Sequence, residues 1–311
     1  MTPSGFVLLD KVAGETSFKA LFPLKRVFCT KRVGHAGTLD LRASGLIIAA
    51  MGRATRLLPY VEAKDKCYTF RLHLGYETDT LEWDGDVLEQ DSRAVSAAPV
   101  PSIDRAALES VLPQFIGDID QIPPNYCAVK IDGHRASDWV ERGKQIELKP
   151  RRIHIASLKI VGEGGVTDGC TGKSFATFDL ECECSKGTYI RALGRDLGRA
   201  LGTSGCVSLI RRHRIGPVNL DRAVRGADLT REHMVPVNEV LDYPVVRLND
   251  DQMGAIRNGN WIPWRTPVEG LRAESDGEKL LFAADSNGIV LSFCKYEPGR
   301  IWPKVFLADD D

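Results

Sequence analysis

The sequence predicts an α+β fold in two domains, and three observations carry that expectation. Apolar or alternating runs of strand length recur up to Cys184, and stretches with helical spacing lie among them. Near Tyr243-Pro244 the composition shifts toward short strand-like runs separated by turn residues.

Taken in order, Gly5 to Asp10 (GFVLLD) and Leu46 to Met51 (LIIAAM) read as buried strands. Gly14-Glu15-Thr16-Ser17 is placed to cap a helix over Phe18 to Phe28, which Pro23 must bend or delay. Cys67 to Leu74 alternates and reads as a strand. Pro99-Val100-Pro101-Ser102 reads as a linker, with Ser102 capping a helix from Ile103 to Phe115. In Ala176 to Cys184, Phe178, Leu180, Cys182 and Cys184 share one face, opposite Asp179, Glu181 and Glu183. A helix over Ile190 to Leu201 follows, with Ile190, Leu193, Leu197 and Leu201 inward and Gly202 where a helix-ending glycine belongs. Arg191, Arg195 and Arg199, four apart, form one basic stripe on it. Beyond Pro244, Leu280 to Ala283 and Ile289 to Phe293 flank Asp285-Ser286-Asn287-Gly288, a hairpin signal. The domains are therefore expected at residues 1–243 and 244–311, ending in a solvated Asp309-Asp310-Asp311 tail.

Composition narrows the class. With 311 residues, 43% hydrophobic and 27% charged, the chain can bury a full core. No apolar run approaches the roughly 18 residues of a membrane helix, and Met1 to Gly5 lacks the features of a secretory signal. Eight scattered cysteines make no small-domain disulfide framework. The expectation is a reduced, cytoplasmic enzyme. The net charge of −1 conceals local fields: Lys11 to Arg56 carries +7, Ser185 to Arg214 carries +6, and Leu74 to Ser92 has seven acids and no base. Charge alone fits either ordinary solvated faces or an RNA-binding face.

Several motifs are excluded. Gly169 to Ser174 lacks the glycine spacing of a phosphate loop, and Cys182-Glu183-Cys184 has no second ligand pair at zinc-finger spacing. Neither a Gly-x-Ser-x-Gly elbow nor a His-Glu-x-x-His helix occurs. Gly34-His35-Ala36-Gly37-Thr38-Leu39-Asp40 is a glycine-rich loop ending in an acid just before a buried strand. By itself this is either an aspartate closing a turn or a catalytic carboxylate.

The His35 to Asp40 loop gains meaning from its companions. Gly5 to Lys11, Gly14-Glu15-Thr16-Ser17 and that loop with Ala43-Ser44-Gly45 resemble the opening motifs of the TruB family, the bacterial tRNA pseudouridine-55 synthases. Three further matches follow in the family's order: Asp65 to Tyr68 with Leu74 to Thr80 and Asp84-Gly85; Gln121 to Lys130 with Gly133; and Cys184 to Arg191, continuing through Asp196-Leu197-Gly198 to Leu209-Ile210-Arg211-Arg212. The resemblance spans residues 5–216, and the C-terminal segment resembles, less specifically, a PUA-type RNA-binding domain. Val12 and Leu41 stand where the family usually has proline, and Cys127 where it has serine.

The resemblance implies a pseudouridine synthase fold, with a mixed, mainly antiparallel sheet, plus a small β-rich PUA-like domain. It implies isomerisation of uridine 55 in the tRNA T loop, without cofactor or metal. Asp40 would be the nucleophile, and Arg191 would pair with it. Tyr68 would stack on the uracil and help remove the C5 proton. His35 would fill the space left by the flipped base. Tyr189 and Ile210 would contact substrate, and Lys11 would support the loop. The partner would be the T arm of tRNA, with no membrane, no protein partner, and a monomeric enzyme. Two other classes are a non-catalytic RNA-binding or tRNA-folding protein and a glycosidase-like hydrolase. The first has no use for the trio Asp40, Tyr68 and Arg191, and the second needs a partner acid that is not evident.

Overall fold

The structure, a computed structural model, describes residues 4–88, 103–131, 133–144, 146–168, 174–274 and 276–308. They form two compact units. One comprises Met1–Leu41, Gly45–Lys64 and Arg214–Asp311; the other comprises Arg42–Ser44 and Asp65–His213.

In the first unit, Gly5–Lys11 pairs antiparallel with Ser44–Met51, from Gly5 opposite Met51 to Lys11 opposite Gly45. Their near-continuous apolar runs are buried along almost their whole length. Val33–Ala36 also pairs with Ser44–Met51, placing His35 opposite Ala49. The helix expected over Phe18 to Phe28 is shorter and begins late. A 3₁₀ turn at Lys19–Leu21 precedes the α-helix Phe22–Val27, which has Pro23 in its first turn. Proline is tolerated there because that N–H has no intrahelical acceptor anyway.

The C-terminal part of this unit is a five-stranded sheet in the order Val245–Arg247, Lys279–Ala284, Val290–Glu297, Arg300–Phe306, Ile262–Pro263. The first pair is parallel and the others antiparallel. The expected hairpin forms: Asp285 Oδ1 accepts from the Asn287 and Ile289 N–H groups, and Gly288 has φ 86°. Both faces of the sheet are covered. Leu280, Phe282, Phe293 and Val305 join one core with Phe6, Leu8, Leu46 and Ile48. Leu281, Ala283, Cys294 and Ile301 join another with Leu248 and Ile256. Ile256 lies on an unanticipated helix, Asp250–Arg257, entered through a reciprocal cap between Asn249 and Gln252.

In the second unit the strand order is Gly205–Ile215, Lys66–Leu74, Ser174–Cys184, Arg151–Asp168, Gly117–Gln121. Tyr68 lies opposite Cys182, and Arg71 opposite Asp179, to which it gives two hydrogen bonds of 2.7 and 2.9 Å. Phe178, Leu180, Cys182 and Cys184 are buried as their spacing required, and both thiols are free. The helix Ile190–Ala200 buries Ile190, Leu193 and Leu197, leaves Leu201 half-buried as its C-cap, and is followed by Gly202 at φ 72°. Gly198 allows the helix close approach, since a Cβ there would lie 2.6 Å from the Ser204 and Gly205 backbone.

Two local expectations change. Arg191 and Arg195 are buried, so only Arg199 of the supposed basic stripe is exposed. Equal spacing fixes a shared face but not what that face meets. The helix expected from Ile103 is Arg105–Val111, capped by Asp104, whose side chain accepts from the Ala107 N–H at 2.8 Å, with a 3₁₀ turn Leu112–Phe115 after it. Ser102 and the linker at 99–101 lie outside the described residues, as do 169–173 and the Asp309-Asp310-Asp311 tail. The architecture is α+β, with a mainly antiparallel sheet and a small C-terminal β-sheet.

Candidate active site

Lys11, His35 and Asp40 belong to the first unit. Lys11 ends its strand with its side chain only 1% exposed. A buried ammonium must place its three protons on acceptors. Lys11 Nζ donates to the carbonyls of Val12, Asp40 and Leu41 at 3.1, 3.2 and 3.3 Å. The Gly14 N–H donates to the Leu41 carbonyl at 2.8 Å. Ser17 Oγ accepts from the Leu39 N–H at 2.9 Å and donates to the Leu39 carbonyl at 3.0 Å. The backbone on both sides of Asp40 is therefore held from two directions, and Asp40 itself is half-buried. Gly37, at φ 71°, makes the turn between the His35 strand and this segment. His35 is half-buried on its strand.

Tyr68, Tyr189, Arg191 and Ile210 belong to the second unit. Tyr68 is buried on the strand Lys66–Leu74, and Ile210 is buried on the neighbouring strand Gly205–Ile215. Ile210 follows Leu209, which takes φ 52° and turns its own side chain outward. Tyr189 is the N-cap of the helix that carries Arg191. Its backbone is clamped by Gln121: Gln121 Oε1 accepts from the Tyr189 N–H at 2.8 Å, and Gln121 Nε2 donates to the Tyr189 carbonyl at 3.1 Å. Burial raises the Tyr189 hydroxyl pKa, with Cys127 adding to it.

Arg191 is 5% exposed. Its Nη1 donates to the Thr80 carbonyl at 2.9 Å and its Nη2 to the Tyr126 carbonyl at 2.8 Å. The two loops that supply these carbonyls are themselves braced. Asp79 Oδ1 accepts from the Thr80 and Asp86 N–H groups at 2.7 and 3.0 Å. Gly85 is required beneath them, because a Cβ there would collide with Thr80 Oγ1 and lie 2.8 Å from Asp79 Oδ1. Arg195 Nη2 donates to the Ile122 carbonyl at 2.8 Å, fixing the second loop one helical turn further on. Two stretches distant in sequence, 77–86 and Gln121 to Tyr126, thus meet at the helix that carries Arg191 and Arg195.

From the sequence, Asp79, Gly85 and Gln121 have no individual role, Ser17 reads only as part of a helix cap and Arg195 only as part of a basic stripe. Each lies inside or beside a quoted motif, but Ser17, Asp79, Gln121 and Arg195 bond to backbone groups and Gly85 leaves room for the Thr80 and Asp79 side chains, contacts that spacing does not reveal.

Residues 25–190 match the sequence model of the TruB family pseudouridylate synthase N-terminal domain. The tRNA pseudouridine synthase B of Caulobacter sp. (strain K31) is 35% identical over 315 residues, covering 97% of this chain and 96% of that protein. The protein of the same name from Thermobifida fusca (strain YX) is 36% identical over 307 residues, covering 98% of each. Among solved structures, an H/ACA ribonucleoprotein bound to a substrate RNA containing 2′-deoxyuridine aligns with TM-score 0.70 at 18% identity, covering 98% of this chain and 85% of that one. An archaeal Nop10–Cbf5 complex aligns with TM-score 0.68, covering 99% and 87%. The fold is that of a pseudouridine synthase. Its sequence relatives narrow this further: the chain belongs to the TruB family and is an isomerase that forms pseudouridine in tRNA. Among the described residues no helix is long and apolar enough to cross a membrane.

Proposed function

We propose that this chain isomerises uridine 55 in the T loop of tRNA, with Asp40 as nucleophile. The observation that carries the reading is the immobilised segment around Asp40, held by a buried lysine and a buried serine. A nucleophile works when its position is fixed before substrate arrives.

The target base is flipped out of the loop, at a cost of a few kcal/mol, and His35 fills the space it leaves. Asp40 attacks at C1′ or on the uracil ring, and the N1–C1′ bond breaks. The base turns, the C5–C1′ bond forms, the bond to Asp40 breaks and returns the free carboxylate, C5 loses its proton and N1 gains one. Atoms and electrons balance without an external reactant. Tyr68 stacks on the base and takes part in removing the C5 proton. The Arg191 guanidinium pairs with Asp40 and orients it. Tyr189 and Ile210 contact the substrate. The assignment of residues 1–243 to catalysis and 244–311 to PUA-like RNA binding belongs to this proposal, as do a monomeric state and a cytoplasmic site of action.

The test is tritium release from a T-arm transcript labelled at C5 of uridine, with the modified position mapped. Release from uridine 55 is expected, and Asp40→Asn should abolish it while RNA affinity stays within several-fold. Turnover by Asp40→Asn near the unmutated rate, or modification elsewhere, overturns the reading.

A further inference from the structure

Two aromatic side chains stand out of the surface beside the Asp40 segment. Phe18 is 58% exposed and Phe22 is 50% exposed. They meet edge to face with centroids 5.6 Å apart and planes at 82°. Lys25 Nζ lies 4.6 Å from the Phe18 centroid and 5.2 Å from that of Phe22. A single exposed apolar residue says little, but a pair with a cation over both rings is a built surface.

Its placement gives it meaning. Phe18 follows Ser17, whose hydroxyl is bonded to both backbone groups of Leu39, and Leu39 precedes Asp40. Counting Cα steps of 3.8 Å on either side of that bond, the Phe18 Cα stands within roughly 15 Å of the Asp40 Cα, and Phe22 meets Phe18 through the ring contact. The Thr16 carbonyl accepts from the Ala20 N–H at 3.1 Å and Thr16 Oγ1 from the Lys19 N–H at 3.2 Å, so the pair rides on the same frame as the loop. From Thr16 to Leu39 the chain carries five lysines and arginines and no acid, and Lys19, Arg26, Lys31 and Arg32 are exposed. Exposed aromatic faces set among unopposed cations suit a ligand with flat π-faces and a polyanionic backbone.

We infer that Phe18, Phe22 and Lys25 form a stacking platform for an unpaired base of the substrate RNA, one flanking the base that is turned over. This rests on the reading of Asp40 as the place of reaction. The platform binds by stacking and charge, so it is tolerant of base identity. It holds the RNA close to the reacting nucleotide while contributing nothing to bond-making.

The test places 2-aminopurine at loop positions flanking the target uridine in a T-arm stem-loop and follows its fluorescence on titration with the full chain. Stacking on the platform quenches the signal at one flanking position. Phe18→Ala with Phe22→Ala should remove that quench and weaken RNA binding about tenfold, raising KM more than it lowers kcat. Phe18→Trp with Phe22→Trp should restore both, which separates stacking from damage to the fold. Quenching and affinity retained by the alanine pair overturn the inference and leave the surface as a protein-docking site. So does full restoration by leucine at both positions, since apolar area without an aromatic face would then suffice. Asp40→Asn distinguishes the two readings: it should keep the quench while losing turnover. Turnover lost in the alanine pair at saturating enzyme, with affinity unchanged, would also overturn the platform.

Discussion

Lys11 and Arg191 are both buried cations that direct their protons at backbone carbonyls, yet they work in opposite directions. The acceptors of Lys11 belong to Val12, Asp40 and Leu41, so the side chain decides where the loop lies. The acceptors of Arg191 belong to Thr80 and Tyr126, on loops braced by Asp79, Gly85 and Arg195, so the loops decide where the side chain lies. The residue types suit these tasks. An ammonium is a compact point charge that can reach three carbonyls on one side, whereas a guanidinium is a planar fork that two separated carbonyls can orient. One unit positions main chain by a charge, and the other positions a charge by main chain.

The comparison breaks most visibly at Lys11. Lys11→Met keeps much of the volume but takes the lysine donor from the Val12 and Asp40 carbonyls, while the Leu41 carbonyl keeps the Gly14 N–H; each loss costs about 1–3 kcal/mol when buried, with incomplete additivity. We expect the unfolding free energy in urea to fall by about 3–4 kcal/mol and kcat to fall with it. A loss below about 1 kcal/mol would show that Ser17 and Gly14 hold the loop unaided.

An acid titration separates the units without mutation. His73, in the second unit, is buried against Trp83 with ring centroids 5.4 Å apart, and its Nε2 is 2.7 Å from Ser208 Oγ. Burial, reinforced by Arg71, pushes its pKa down to about 4 from the usual 6.5. The folded-state value is depressed, so the unfolded chain takes up the proton first. The contribution is complete above about pH 6.5 and is lost as pH falls toward 4, up to about 3 kcal/mol in all. Hydrogen exchange at Lys66–Leu74 should therefore accelerate in that window relative to Gly5–Lys11. Exchange unchanged between pH 6.5 and 4 would remove His73 from the account.

Arg191→Lys sharpens the comparison further. An ammonium cannot span the Thr80 and Tyr126 carbonyls in the plane of a fork, so we expect about a hundredfold loss in kcat with little change in RNA affinity. Normal turnover would mean the loops need no fork between them. The smallest expected effect is from Ser17→Ala, which removes two hydrogen bonds to Leu39 and should cost about 1–2 kcal/mol in stability. Its kcat should fall by several-fold, because Lys11 still holds the far side of Asp40.

Legibility in the sequence followed burial. Gly5–Lys11 and Ser44–Met51 could be read because they are covered on both faces, and Ser174–Cys184 because it alternates without interruption. Arg151–Asp168 escaped notice although it is the longest strand described. Three register shifts against Ser174–Cys184 interrupt its alternation, and its start is polar. Gly205–Ile215 was hidden by the positive φ at Leu209 and by the charged run Arg211-Arg212-His213-Arg214. Arg212 is 1% exposed, a burial that no charge count would suggest. At the site, motif residues could be named, but the carbonyls that hold Lys11 and Arg191 could not. Carbonyls occur at every position, and only the fold selects among them.

The division of the chain also sets an order of events during synthesis. Apart from Arg42–Ser44, the second unit is one continuous stretch, Asp65–His213, available to fold once that stretch has left the ribosome. The first unit cannot, because Phe6, Leu8, Leu46 and Ile48 share their core with Leu280, Phe282, Phe293 and Val305. The strands that frame the Asp40 loop are made first and are covered last. A nascent chain thus carries the Asp40 loop on an unfinished frame until the final strands arrive. Premature termination near Tyr243 would leave the N-terminal strands without their apolar cover, in addition to removing the segment assigned to RNA binding.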